Sequence, residues 1–373
     1  MKKINVLQFI CSTGFYGAER WVLALVNHLD PSLVRSDLVV TLEGECKELK
    51  IVQQFNVEDG QTFELPMAHK FDFSVVDKLV ELIKEREIDV IHTHGYKSDI
   101  LGIWAARKAN IKVVVTPHGF PAHIDFKLKC FIWFGCQSLR FANKVVPLST
   151  QLMEDVKGFG VPKSKIAYVQ NGVDLSEVEA QRRLPIKSDF ANNGIKRIGF
   201  VGQMIKRKNI EHVLDVFESM SKKHDNLELY LLGDGESRQG LEQYIKNLNS
   251  RNKIHFLGFR DDRLEWLQSF DLFVMTSLLE GIPRCVMETM AMGVPVAAYN
   301  IAGVDQLITH NETGLLADLN DKLSLEEHWE TLLFNSEVSE NIINKAKDFV
   351  YKHYSAQRMA DEYTDVFKNL LKG

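Results

Sequence analysis

A chain of 373 residues exceeds the ~250–300 residues that one hydrophobic core ordinarily organises, so two domains are expected. Its 45% apolar and 25% charged composition is globular and excludes disordered and fibrous classes. A formal charge of −5 argues against non-specific nucleic-acid binding.

The apolar run at 4–10 contains Asn5 and Gln8 and leads into a glycine loop, which fits a first strand rather than a secretory leader. β-branched or aromatic runs at 4–10, 38–42, 89–92, 112–116, 144–148 and 166–170 alternate with helical-period segments. This is the pattern of parallel strands joined by crossover helices. A polar stretch at 175–196, with Pro185 and the pair Asn192-Asn193, has neither period and reads as a linker. The alternation resumes at 197–201, 227–232, 253–257, 272–276 and 294–298, a second α/β unit. From about 323 the pattern is helical, and 356–371 carries Met359, Tyr363, Val366, Phe367 and Leu370 at helical spacing. No stretch reaches the ~18–20 apolar residues that span a bilayer. Five scattered cysteines, Cys11, Cys46, Cys130, Cys136 and Cys285, lack zinc-site spacing and read as reduced thiols of a cytosolic protein.

Residues 271–293 read as strand, loop and helix, with Pro283 suited to the first helical turn. The N–H groups and positive dipole end of that helix suit an anionic phosphate, and Gly281 permits close approach. Glu280 in the loop and Glu288 on the helix are acceptor-only carboxylates whose natural partners are sugar or ribose hydroxyls. Taken alone, they read as solvated charges, and their spacing does not overturn that. Lys206, Arg207 and Lys208 follow the strand at 197–201, either as a solvated helix start or as charge to offset a leaving diphosphate. Gly233-Asp234-Gly235 reads as a turn, without the third glycine of a dinucleotide fingerprint.

In the first half, the loop from Ser12 and Thr13 through Gly14 and Gly17 to Arg20 precedes a helix and suits phosphate or acceptor contact. His118 follows a strand, where a neutral imidazole can exchange one hydrogen bond with a sugar or serve only structure. His92 and His94 share a strand face but lack a persuasive third ligand, so no metal is expected. Between 126 and 144, Phe131, Trp133, Phe134 and Phe141 interleave with Lys127, Lys129, Arg140 and Lys144. The stretch reads as a membrane-surface or lipid-acceptor patch, or as a core helix with snorkelling basic ends.

The glutamates Glu280 and Glu288, with seven residues between them and Ala291-Met292-Gly293-Val294-Pro295-Val296 following, resemble the signature of glycosyltransferase family 4. Ala302-Gly303 and Glu312-Thr313-Gly314-Leu315 match that family too, and the resemblance covers nearly the whole chain. It implies the α/β GT-B fold: two doubly wound Rossmann-like domains facing a central cleft. Residues 1–175, with the helix at 356–373, would bind the acceptor, and 190–355 the donor. The resemblance further implies retaining transfer of a hexosyl or N-acetylhexosaminyl group from a nucleotide-diphosphate sugar, UDP-linked in preference to GDP-linked. No other cofactor and no metal is called for.

By the same resemblance the partners are the nucleotide sugar and a carbohydrate or lipid-linked acceptor, with no nucleic acid. The setting is bacterial surface polysaccharide or glycolipid assembly in the cytoplasm, and peripheral contact with the inner face of the membrane stays open. Catalytic roles fall to His118, Glu280 and Lys208. Donor contacts fall to Gly17, Gly202, Gln203, Arg207, Lys208, Gly233, Gly281, Ile282, Pro283, Arg284 and Glu288. Two departures stand out. Gln203 occupies an arginine position, leaving Arg207 or Arg284 to replace that cation, and Tyr16-Gly17 replaces two adjacent glycines. A nucleotide-sugar-binding subunit of little activity, and an epimerase or phosphorylase of the same fold, remain alternatives.

Overall fold

In the computed structural model, which describes residues 2–11, 14–43, 49–68, 72–119, 135–186 and 194–372, the run at 4–10 forms β1 (Ile4–Ile10) with every residue buried. Its two polar residues are satisfied: Asn5 Nδ2 donates to the Glu87 carbonyl at 2.8 Å and Gln8 Nε2 to Ser36 Oγ at 3.1 Å. β1 lies between β2 (Val34–Glu43) and β4 (Val90–Thr93). With β3 (Thr62–Met67), β5 (Lys112–Val115) and β6 (Lys144–Val145) the parallel order is β3-β2-β1-β4-β5-β6. A core lies on each face, as a doubly wound sheet requires.

The strand at Thr62–Met67 has no counterpart among the sequence-based expectations. Pro66 lies inside it, and a proline survives there because β3 is the sheet edge, where its missing N–H breaks no ladder. Conversely, the expected strand at 166–170 is absent. Ile166 makes one isolated bridge to Val145, and the chain then leaves the sheet.

The helix Ala356–Lys372 packs with the first sheet, so that unit comprises residues 1–172 and 356–373. Met359, Tyr363 and Phe367 repeat every four residues and are buried with Trp21 and Leu25 of the helix Gly17–His28. The helical spacing at the end of the sequence is therefore that of a core-facing stripe.

Residues 173–355 form the second unit. Its strands are β7 (Lys196–Val201), β8 (Leu227–Leu232), β9 (Ile254–Gly258), β10 (Leu272–Met275), β11 (Val296–Tyr299) and β12 (Leu315–Ala317). They are parallel in the order β12-β11-β10-β7-β8-β9. Counted from its own first strand, each sheet has the same order, and the direction of winding reverses beside that strand. Ligands of such sheets bind outside the carboxyl ends at this reversal. In the second unit it lies between β7 and β10, whose following loops carry Gly202 to Asn209 and Thr276 to Pro283.

Part of the stretch expected to be a linker is helical. Leu175–Arg182 is capped by Asp174 and has Val178 as its buried residue. One buried side chain in two turns leaves no apolar period to read. Asn192 and Asn193 lie outside the described residues.

Candidate functional site

The loops after β7 and β10 are tied together. Thr276 Oγ1 donates to the carbonyls of Lys208 (3.2 Å) and Asn209 (2.8 Å), and the Leu278 N–H donates to the Arg207 carbonyl at 2.8 Å. Lys206–Lys208 is a single 3₁₀ turn, ended by Asn209 in the left-handed conformation, before the helix Ile210–Lys223 begins. The turn exposes Lys206 and Arg207 and buries Lys208.

Lys208 and Glu280 form an ion pair in which both side chains are more than nine-tenths buried. Arg207 adds Nη1 to the other Glu280 oxygen at 3.3 Å and to the Leu279 carbonyl at 2.9 Å. Burial alone would raise the Glu280 pKa, but Lys208, Ser277 and Arg207 together outweigh it and hold the carboxyl below its usual range. The solvated-charge reading of Lys208 and Glu280 therefore does not hold.

Glu288 is 2% exposed and accepts three hydrogen bonds. Arg263 reaches it with Nε (3.2 Å) and Nη2 (2.8 Å), and Arg284 with Nε (2.6 Å). Arg263 Nη2 also meets Glu177 at 3.1 Å. Against the opposing effect of burial, Arg284 and Arg263 hold the Glu288 pKa down to about 2. A carboxylate has about four lone-pair sites, so one remains, on Oε2. The two glutamates thus have separate cation partners, with Arg207 on the Glu280 side and Arg284 on the Glu288 side. Gln203 is exposed.

Pro283 is the N-cap of the helix Arg284–Met292, one residue ahead of its expected place in the first turn. Ile282 is buried, while Gly281 has open space where a side chain would be. Two glycines hold the loop backbones at close quarters. A Cβ on Gly233 would lie 1.8 Å from the Gly202 carbonyl oxygen, and one on Gly303 1.6 Å from that of Gly281. Gly233 is therefore more than a turn residue: it supports the Gly202 loop.

The remaining candidates, Gly17 and His118, belong to the first unit. Gly17 is the exposed first residue of its helix, with open space around it, whereas a Cβ on Gly14 would collide with the Tyr16 ring. His118 Nε2 lies 3.3 Å from His94 Nδ1, and His94 Nε2 lies 2.9 Å from Gln8 Oε1. With the Gln8 amide donating to Ser36, His94 donates at Nε2 and accepts at Nδ1, which leaves His118 Nδ1 as an acceptor. Burial holds His92 and His94 well below the usual imidazole range and His118 down to about 4. Among the described residues, no group of three or more His, Cys, Asp or Glu is placed to hold a metal ion.

The profile described as Glycosyltransferase Family 4 matches residues 15–177, and the profile described as Glycosyl transferases group 1 matches residues 184–349. This chain belongs to glycosyltransferase family 4. The transferase is similar to the N-acetyl-alpha-D-glucosaminyl L-malate synthase of Bacillus anthracis, 24% identical over 86% of this chain and 84% of the relative. It is also similar to an Escherichia coli enzyme named UDP-Gal:alpha-D-GlcNAc-diphosphoundecaprenol alpha-1,3-galactosyltransferase, 29% identical over 80% of this chain and 74% of that one. Among solved structures, Anabaena HepE in complex with UDP and glucose superposes with a TM-score of 0.80 at 19% identity, over 98% of this chain and 99% of that one. The fold is that of the GT-B glycosyltransferases, and the transferase is related to bacterial cell-surface glycosyltransferases.

Arg263 and Glu177 of the transferase carry no motif in the sequence. Only the rule that a buried carboxylate must be paired points to such partners. Phe131, Trp133 and Phe134 of the aromatic and basic stretch, with Lys127 and Lys129, lie outside the described residues, as do Ser12, Thr13, Cys46 and Cys130. Phe141 is exposed beneath Arg107, 4.7 Å from the ring centre. Among the described residues, no helix is long and apolar enough to cross a membrane, and Cys11, Cys136 and Cys285 form no disulfide.

Proposed function

We propose that this glycosyltransferase moves a hexosyl or N-acetylhexosaminyl group from a nucleoside-diphosphate sugar to an acceptor hydroxyl, in the assembly of a bacterial surface polysaccharide or glycolipid. The observation that carries the reading is the buried Lys208–Glu280 pair at the carboxyl ends of β7 and β10. An ammonium there offsets charge that grows on the leaving diphosphate, and Arg207 supplies the second cation that Gln203 does not. Glu280 accepts from hydroxyls of the transferred sugar. Glu288, oriented by Arg263 and Arg284, offers its remaining lone pair to a ribose hydroxyl. The names of the similar proteins, which include UDP, support a UDP-linked donor.

The residues support an order of events without a covalent sugar–enzyme intermediate. The acceptor hydroxyl attacks on the face from which the diphosphate departs, a leaving phosphate oxygen takes its proton, and configuration is retained. His118, neutral and open at Nδ1, accepts a hydrogen bond from a sugar hydroxyl near the reacting carbon. The first unit would then hold the acceptor, a carbohydrate or a lipid-linked one, and its exposed Phe73, Trp104 and Phe141 favour contact with a membrane surface.

A panel of UDP- and GDP-sugars, assayed for binding and slow hydrolysis and then for transfer to an acceptor pool in EDTA, tests the reading. Expected are binding of a UDP-sugar, hydrolysis, and a product with the donor's anomeric configuration, read by NMR. An inverted product removes the retaining mechanism, and an epimerised donor without transfer favours an epimerase. Because Gln203 is neutral and exposed, a binding subunit stays the second reading. It requires donor-selective thermal shifts with no turnover, and any turnover excludes it.

A further inference from the structure

The pairing of Lys208 has a cost for the donor reading on which this inference rests. Before any ligand arrives, both cations assigned to the diphosphate are held by one carboxylate: Lys208 by one Glu280 oxygen, Arg207 by the other. The side chains of Lys208 and Glu280 are 9% and 7% exposed, so water does not compensate whichever partner is abandoned. A diphosphate that draws Lys208 and Arg207 towards itself leaves Glu280 charged, buried and short of donors.

Two ligands with the same diphosphate meet this demand differently. An intact sugar donor brings hydroxyls, each able to donate to the carboxylate as the cations turn away. A spent nucleoside diphosphate brings no transferred-sugar hydroxyl to Glu280, its ribose hydroxyls being those assigned to Glu288, and its terminal phosphate adds negative charge. We propose that Glu280 competes with the diphosphate for Lys208 and Arg207, and that this competition makes the enzyme prefer intact donor over spent nucleoside diphosphate. Glu280 is then a specificity residue whose charge speeds release of the leaving group after transfer, in addition to its contacts with the sugar.

The test is calorimetric titration of the full chain with UDP, GDP, UDP-glucose, UDP-galactose and UDP-N-acetylglucosamine, on wild type, Glu280→Gln, Glu280→Asp and Lys208→Gln. Glu280→Gln keeps the shape and removes the charge. It is expected to bind UDP about ten-fold tighter than wild type, the size of one charge-assisted hydrogen bond returned to the ligand. Its preference for a UDP-sugar over UDP falls by a similar factor. Glu280→Asp keeps the charge on a shorter stem and is expected to fall between the two, which preserves the test if Glu280→Gln folds poorly. Arg207→Gln, at a half-exposed position, is expected to weaken UDP binding and to reduce the gain when combined with Glu280→Gln.

Equal or weaker UDP binding by both Glu280 variants overturns the competition. If wild type still binds UDP and Lys208→Gln does not, the donor reading stands without it. If neither UDP nor GDP binds to wild type or to any variant, both fall.

Discussion

The two sheets wind in the same order, yet the chemistry at their reversal points is opposite. Beside β7 and β10 the loops and neighbouring helices gather full charges: Lys208 and Arg207 around Glu280, with Arg263 and Arg284 around Glu288. Beside β1 and β4 the corresponding place holds Gln8, His94 and His118, all neutral and linked by hydrogen bonds. Topology thus supplies a place to bind, and side chains decide what binds there. The charged place suits a dianionic donor. The neutral place suits groups that exchange single hydrogen bonds.

The sharpest way to break this contrast is to remove the buried ammonium. Lys208→Ala is expected to lower turnover by about 10²–10³-fold, as loss of a preorganised transition-state partner does. Initial rates measure it, with a melting curve to confirm folding, and near wild-type turnover would remove the charged site from the chemistry. Next comes Arg263→Met, which leaves Glu288 with Arg284 alone in a buried setting. A loss of about 3 kcal/mol in urea unfolding is expected, together with a raised donor KM. Unchanged values in both would show that Arg284 suffices.

The neutral region is tested by acid. The folded pKa values of His92, His94 and His118 lie below the ordinary 6.5, so between there and about 4 the unfolded chain takes up protons that the native one refuses. Their contribution is complete above pH 6.5 and is lost as the pH falls below it, for His118 by about pH 4. Glu280 and Glu288, held below 4.5, give up theirs only at lower pH. Melting temperature should therefore fall between pH 7 and pH 5, and His118→Gln should flatten the slope; an unaltered slope would place the sensitivity elsewhere. The smallest effect is expected of Gln203→Arg. A new cation at an exposed position should tighten UDP by about three-fold or less, and a large gain would mean that Arg207 does not stand in for it.

Much of this was readable beforehand, and the exceptions share a cause. β1 and β8 match their predicted limits because buried parallel strands leave largely apolar runs, interrupted only by Asn5 and Gln8 in β1 and by Glu228 in β8. β3 escaped because Pro66 and half-exposed neighbours disguise an edge strand, and Leu175–Arg182 because one buried valine makes no period. In the site, Glu280, Glu288 and Lys208 were legible through a family pattern, since Lys208 and Glu280 are 72 positions apart in the chain. Arg263 and Glu177, 86 apart and without a motif, became visible only through burial. Pairing across the fold is the information that local spacing does not carry.

The backbone contacts of Gly233 and Gly303 divide the site for anyone wishing to retune it. Both are at positive φ, with a neighbouring loop's carbonyl where a methyl would go, so even alanine forces backbone apart. Leu278 and Leu279, exposed at 42% and 44% beside Glu280, have no such restriction. Libraries aimed at a different sugar should therefore leave those two glycines untouched and spend their diversity on the two leucines.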